Sequence, residues 1–282
     1  MSSETIHVFA PAKVNLFLHI TGKREDGYHT LQSLIVFADV GDELEFSLQK
    51  FFHVEARGAF AAALPDSKDN LVYKAARLLS EAYQVPLQGK IVLTKNLPVA
   101  AGIGGGSTDA AAALKGLVRL WNLQEDPARL QMIAQQLGAD VPACLEGHIV
   151  LAEGIGEILT RVLDLPPVYL VLVNPLVPTP TAEVFKNFHG SFSDRLTIPE
   201  EKGIDLEAAR NDLTDAALVV TPVVRAVLDS IANTEGCLFS RLSGSGATCF
   251  GLYKNAEMAR FAAATLKSQQ PTWWITSAGL LK

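Results

Sequence analysis

The sequence is poor in cysteine, and the little it has carries no pairing pattern. Cys144, Cys237 and Cys249 are the three in 282 residues, and none sits in a C-x-x-C pair. An odd, scattered set excludes a disulfide framework and fits small buried hydrophobes in a reducing compartment. The six histidines likewise fall in no metal-ligand spacing. Basic clusters are missing as well. The 24 Lys and Arg are outnumbered by 30 Asp and Glu, for a net charge of -6. A nucleic-acid partner, which needs grouped cations to neutralise phosphates, is therefore not expected. No apolar run approaches the ~20 residues that cross a bilayer. Met1-Ser2-Ser3-Glu4 lacks the basic start and apolar core of a secretory signal. The expectation is a cytoplasmic chain with no membrane partner, and nothing marks a particular oligomeric state.

Hydrophobic residues make up 49% and charged residues 19%, the balance of a compact globular enzyme. Strand-like runs open the chain at Ile6 to Ala10, Val14 to Ile20, Leu34 to Phe37 and Glu43 to Leu48. Asn70 can cap a helix reaching Tyr83, with Leu71, Ala75, Leu78 and Leu79 as its apolar stripe. A strand at Lys90 to Thr94 precedes a glycine-rich loop and a helix from about Ser107 to Trp121. Asp126, Pro127 and Gly138 bracket a further helix. A strand at His148 to Ala152 follows, and the second half alternates irregularly between strands and helices. That order favours an α+β fold over a doubly wound sheet. The run Glu153-Gly154-Ile155-Gly156 suggests a boundary, giving domains 1–156 and 157–282.

The segment Pro98-Val99-Ala100-Ala101-Gly102-Ile103-Gly104-Gly105-Gly106-Ser107-Thr108 lies between strand and helix. Three consecutive glycines strip Cβ atoms from the loop and let backbone N–H groups close on an anion. The helix that follows points its positive dipole end at the same place, and two hydroxyls add donors. The arrangement suits the triphosphate of a nucleotide. It is not a Walker A loop, because no Lys precedes Ser107, and it is not G-x-G-x-x-G. Asp109 stays open between a charge that complements the helix dipole and a contact with Mg2+.

Three other stretches carry chemistry. In Pro11-Ala12-Lys13-Val14-Asn15-Leu16, Lys13 and Asn15 share one face of a strand among apolar neighbours, which favours an inward ammonium over a solvated edge residue. Asp140, in Gly138-Ala139-Asp140-Val141-Pro142, falls after a helix stop, on a short turn before a buried strand. It is either an N-cap or turn former, or a functional carboxylate. Ser243-Gly244-Ser245-Gly246-Ala247-Thr248 is a second small-residue loop between strands, a weak signal alone.

With Asp26-Gly27-Tyr28-His29, these stretches resemble the GHMP kinases from Pro11 to about Tyr253. They look most like the branch whose substrate is a cytidine diphosphate attached to methylerythritol, in the non-mevalonate isoprenoid route. The resemblance implies a two-domain kinase with its site in the cleft between domains and a last strand able to return to the N-terminal domain. It implies ATP with Mg2+, the metal held mainly through the phosphates, and phosphorylation of the polyol's 2-hydroxyl. Lys13 and Asp140 fall on the family's catalytic positions. Tyr28 and Phe185 would sandwich the cytosine. His29 and Asn15 would hydrogen-bond the base or its neighbours, and Thr181, Gly244, Ser245 and Gly246 would lie on the substrate side. Lys95 leads into the glycine loop and would touch the nucleotide. Other GHMP kinases, for homoserine, mevalonate or a sugar, lack a base to stack on Tyr28. A non-catalytic nucleotide sensor on the same fold would not need both Lys13 and Asp140.

Overall fold

The computed structural model describes residues 5–65, 68–162, 165–196, 205–206 and 209–281. The chain divides into two compact units, each assembled from separate stretches. The first holds Met1–Ala12, Val40–Val99 and Gly104–Gly147, and the second Lys13–Asp39, Ala100–Ile103 and His148–Lys282. These differ from the contiguous halves 1–156 and 157–282 that the sequence suggests. Two long strands, β1 (Ile6–Lys23) and β2 (His29–Ser47), each contribute to both units. They read as four short strands because Pro11 and the stretch Asp39-Val40-Gly41-Asp42 interrupt the apolar runs. Pro11 removes one donor but does not end an extended backbone.

In the first unit, β3 (His53–Arg57) pairs parallel with β4 (Lys90–Thr94), and β4 pairs antiparallel with Glu43–Ser47 of β2. The helices are α1 (Leu71–Tyr83), α2 (Gly105–Leu120), α3 (Pro127–Leu137) and α4 (Val141–Glu146). Helix α1 packs on α2 and α3, and α2 packs on α4. Leu44, Phe46, Leu79, Ile91, Leu93, Leu114 and Leu117 are fully buried. Each such side chain contributes roughly 1.5–3 kcal/mol. The expected caps form: Asn70 Oδ1 accepts the Val72 N–H at 2.8 Å, and Asp126 Oδ1 accepts the Arg129 N–H at 3.1 Å.

Asp140 takes the N-cap position of helix α4, one of the roles the sequence allows, but the segment after it is a helix and not the strand expected there. Val141-Pro142-Ala143-Cys144-Leu145 has the apolar look of a strand, but Pro142 fixes a φ suited to the first turn of a helix.

In the second unit, Leu31–Ile35 of β2 pairs antiparallel with β5 (Val150–Gly154), which pairs with β6 (Ile158–Arg161). A second, antiparallel sheet runs β10 (Trp274–Gly279), β7 (Tyr169–Asn174), β9 (Cys249–Tyr253), β8 (Phe239–Leu242). Helices α7 (Val223–Ala232) and α8 (Ala256–Gln269) pack on it, and α5 (Thr181–Lys186) packs on α6 (Thr214–Val220). Val171, Val173, Val227, Ile231, Cys249, Leu266 and Ile275 form its core. Beyond β10 the Leu281 N–H donates to Phe37 O at 2.8 Å, so the chain end returns to β2, a strand of the N-terminal half of the sequence. Cys144, Cys237 and Cys249 form no disulfide. Among the described residues no helix is long and apolar enough to cross a membrane.

Candidate active site

The glycine-rich loop leaves β4 at Thr94 and re-enters regular structure at Gly105. Gly104 precedes α2 with φ of 63°, a left-handed turn that favours glycine. The first amides of α2, on Gly105, Gly106 and Ser107, have no partner within the helix and face its positive end. Thr108 does not extend this row. Its N–H donates to Gly104 O, and its hydroxyl folds back onto Gly105 O at 3.0 Å.

Where the chain leaves β4, Asp42 Oδ1 accepts the N–H groups of Asn96 and Leu97 at 2.6 and 2.9 Å. Lys95 Nζ donates to Asp42 Oδ2 at 2.5 Å and to Asp109 Oδ2 at 2.7 Å. All three side chains are buried, Lys95 being 1% exposed. Burial works against the Lys95 ammonium, but the Asp109 and Asp42 carboxylates outweigh it and raise its pKa above the ordinary value. Burial pushes the Asp109 carboxyl up to about 7, against the pull of Lys95 and with the help of Asp42.

Three motifs meet inside the second unit. Lys13 N–H donates to Ile103 O at 2.9 Å, and Thr248 N–H to Ala101 O at 3.0 Å. Ser243 Oγ donates to Gly102 O at 3.0 Å and accepts the Asn15 N–H at 3.2 Å. Gly102 has φ of +75°, and a Cβ there would lie 2.6 Å from Gly246 O and 2.7 Å from Ser243 O. Only glycine lets these two loops touch. Asn15 Nδ2 donates to Ser33 Oγ at 2.7 Å, while its Oδ1 is buried without a hydrogen-bond partner. Thr181 and Ser245 share a hydroxyl contact of 2.8 Å.

The family model described as GHMP kinases N terminal domain matches residues 70–148, and that described as GHMP kinases C terminal matches 200–271. A protein of Paramagnetospirillum magneticum named 4-diphosphocytidyl-2-C-methyl-D-erythritol kinase is 55% identical over 278 residues, covering 96% of this chain and 97% of that one. One of the same name from Jannaschia sp. is 44% identical, covering both chains completely. A crystal structure of 4-(cytidine 5'-diphospho)-2C-methyl-D-erythritol kinase superposes with a TM-score of 0.82 at 34% identity, over 97% of this chain and 99% of the other. The chain belongs to the GHMP kinases. Within them it falls in the 4-diphosphocytidyl-2-C-methyl-D-erythritol kinase family, and it is an ATP-dependent kinase. Homoserine kinase from Cytophaga hutchinsonii, at 19% identity and a TM-score of 0.74, shares the fold.

Within this kinase family's pattern, the structure brings Lys13, Asn15, Gly102, Ile103 and Gly244 to Gly246 together, with Thr181 alongside. Lys13 and Asn15 are both buried, as a shared inward face requires. His29 does not stand apart from the aromatic pair. Its ring stacks on Phe185 at 5.6 Å and 27°, and meets Phe188 edge-on at 5.6 Å. Tyr28, at 63% exposure, presents its ring to solvent. Burial, and secondarily the Lys23 ammonium, lowers the His29 pKa, which keeps the imidazole neutral at pH 7.

At two of the three consecutive glycines the face without a Cβ is turned to the protein. A Cβ on Gly105 would lie 3.0 Å from Lys95 Nζ, and one on Gly106 would lie 3.5 Å from Leu71 Cδ1. Both faces pack against the protein, and the backbone amides alone are left for an anion. Residues missed in the sequence include Asp42, Phe188 and Asn211. Asn211 Nδ2 donates to Leu242 O and Gly244 O, each at 2.8 Å, and so holds the second loop. The polar pair Asn211-Asp212 before an apolar run was the one available signal. Among the described residues no group of three or more His, Cys, Asp or Glu is placed to hold a metal ion.

Proposed function

We propose that this chain transfers the γ-phosphoryl group of ATP to the 2-hydroxyl of 4-diphosphocytidyl-2-C-methyl-D-erythritol, a cytoplasmic step in non-mevalonate isoprenoid precursor synthesis. The carrying observation is the junction at Gly102, where the glycine loop, the Lys13–Asn15 strand and the Ser243–Gly246 loop are hydrogen-bonded into one frame. The identity to relatives of that name supports the same substrate.

Phosphoryl transfer asks for position and charge neutralisation more than for covalent help. In this reading the amides of Gly104 to Ser107, reached from Pro98 through Ile103, receive the β and γ phosphates. Mg2+ arrives as part of the nucleotide substrate and neutralises its oxygens. Asp140 accepts the proton of the attacking hydroxyl, and the Lys13 ammonium orients that hydroxyl and offsets charge as the bond forms. On the acceptor side, Tyr28 and Phe185 stack the cytosine, and the neutral His29 imidazole reads its edge. Asn15, Thr181 and the Gly244-Ser245-Gly246 backbone line the polyol and diphosphate.

Asp140→Asn and Lys13→Ala test the chemistry separately from the nucleotide site. Each is expected to lower kcat by roughly 10²- to 10⁴-fold, the range of a positioned acid or base, while ATP affinity measured by titration holds. Wild-type turnover in either variant removes that residue from the reaction.

A further inference from the structure

The family pattern puts Lys95 at the nucleotide, yet its ammonium lies sealed between Asp42 and Asp109. Each of those carboxylates belongs to one end of the loop. Asp42 Oδ1 holds the amides of Asn96 and Leu97, where the chain leaves β4. Asp109 sits early in α2, where the chain re-enters. We infer that Lys95 is a positioning residue: with Asp42 and Asp109 it forms a buried brace that ties the two ends of the loop and fixes the α2 amides that receive ATP, without touching the phosphates. The inference rests on the reading of this loop as the ATP site.

Several observations converge on the brace. Both ion pairs are short, at 2.5 and 2.7 Å, and every member is almost inaccessible. For Lys95 to reach a phosphate it would have to leave a buried carboxylate uncompensated, a costly step. Gly105 has no Cβ where one would sit 3.0 Å from Lys95 Nζ and 3.7 Å from Asp42 Oδ2, so the first turn of the helix rests directly on the ammonium. Asp109 Oδ1 is buried with no hydrogen-bond partner, which leaves Oδ2 and its bond to Lys95 as the hold on that carboxyl. Burial raises the pKa of Asp109, and the Lys95 ammonium is what opposes that rise. Leu97 and Leu71, which also face the turn, are apolar.

The test compares Asp109→Asn, Asp109→Ala and Lys95→Met by ATP titration, by kcat and by KM for each substrate, with thermal melts to confirm folding. Asparagine still offers Lys95 an oxygen, so its ATP Kd is expected within about two-fold of wild type. Alanine and methionine break the brace, and each is expected to raise the ATP Kd by about ten-fold or more, as a misplaced binding frame does, with KM for the alcohol substrate unmoved. An Asp109→Ala variant that binds ATP as well as or better than wild type overturns the brace, because the released ammonium would then be serving the phosphates. An asparagine variant as weak as alanine overturns it too. Should the alanine or methionine variants not fold, Asp109→Ser, whose hydroxyl is too short to span to Lys95, supplies the same contrast with asparagine. Failure of the wild type itself to bind ATP sinks the loop reading rather than the brace.

Discussion

The base of the glycine loop and the aromatic group around His29 are built in opposite ways. At the loop, Asp42, Lys95 and Asp109 are sealed from water and bonded at 2.5 to 2.7 Å. Around His29 the contacts are ring against ring at 5.6 Å, and Tyr28 is 63% exposed. In the proposed function, a triphosphate looks the same in every turnover, so amides that receive it gain from being fixed beforehand. A nucleobase that enters and leaves between rings gains instead from apolar faces that are covered only when the base is bound. The proposal thus pairs the sealed ionic cluster with charge and the open ring cluster with shape.

The sharpest way to break this comparison is at Gly102. Gly102→Val combines a strained left-handed backbone with a clash against the carbonyls of Ser243 and Gly246. Backbone strain of about 1–2 kcal/mol and overpacking of about 1–3 kcal/mol add to an expected loss of about 2–5 kcal/mol in denaturant unfolding. Activity should fall with it. Wild-type stability in this variant would mean the loop junction is loose, and the contrast with the aromatic group would vanish.

The aromatic side should give smaller, more selective effects. Tyr28→Ala and Phe185→Ala are each expected to weaken substrate binding by the ~1–3 kcal/mol of a stacked base, roughly 5- to 150-fold. That loss should be equal for cytidine and uridine versions, because stacking reads no edge. His29→Ala should instead narrow the gap between the two versions, since hydrogen bonds are what tell cytosine from uracil. Competition assays with both substrates against all three variants decide this. Small and equal effects everywhere would make the rings core packing and leave the choice of base unexplained.

What the sequence disclosed, and what it hid, follows the same division. The caps at Asn70 and Asp126, the helix after the glycine loop and the paired strands around Ser243–Thr248 were legible, because each is specified by neighbours within a few residues. The partnership of Lys95 with Asp42, 53 positions apart, was not. Neither was the stacking of His29 on Phe185, nor the hold of Asn211 on Gly244. Such pairs are set by how strands and helices pack, which no local pattern encodes. Two local patterns mislead in opposite ways: Pro11 reads as a break although β1 runs through it, and the apolar run 141–145 reads as a strand although Pro142 starts a helix.

The smallest expected effect concerns pH. Burial lowers the pKa of His19, with Asp212 pulling it up and Arg210 and Arg241 pushing it down, and its Nε2 accepts the Arg210 N–H. A lowered histidine binds its proton more readily in the unfolded chain, so stability is fully present above the ordinary histidine value of ~6.5 and declines as pH falls below it. His19→Gln keeps an acceptor without the titration. Melting temperatures measured from pH 7 down to pH 5 should decline less steeply in that variant than in wild type. Identical slopes would remove His19 from the pH response.

The central claim is that the phosphorylated alcohol carries a cytidine diphosphate. Phosphorus NMR of reactions containing the enzyme, ATP and Mg2+, each with one acceptor, reads this directly. The acceptors are 4-diphosphocytidyl-2-C-methyl-D-erythritol, its uridine counterpart, homoserine and mevalonate. The account predicts a new phosphomonoester resonance, matched by ADP, that grows by far the fastest with the cytidine polyol. Equal or faster growth with homoserine or mevalonate would contradict it.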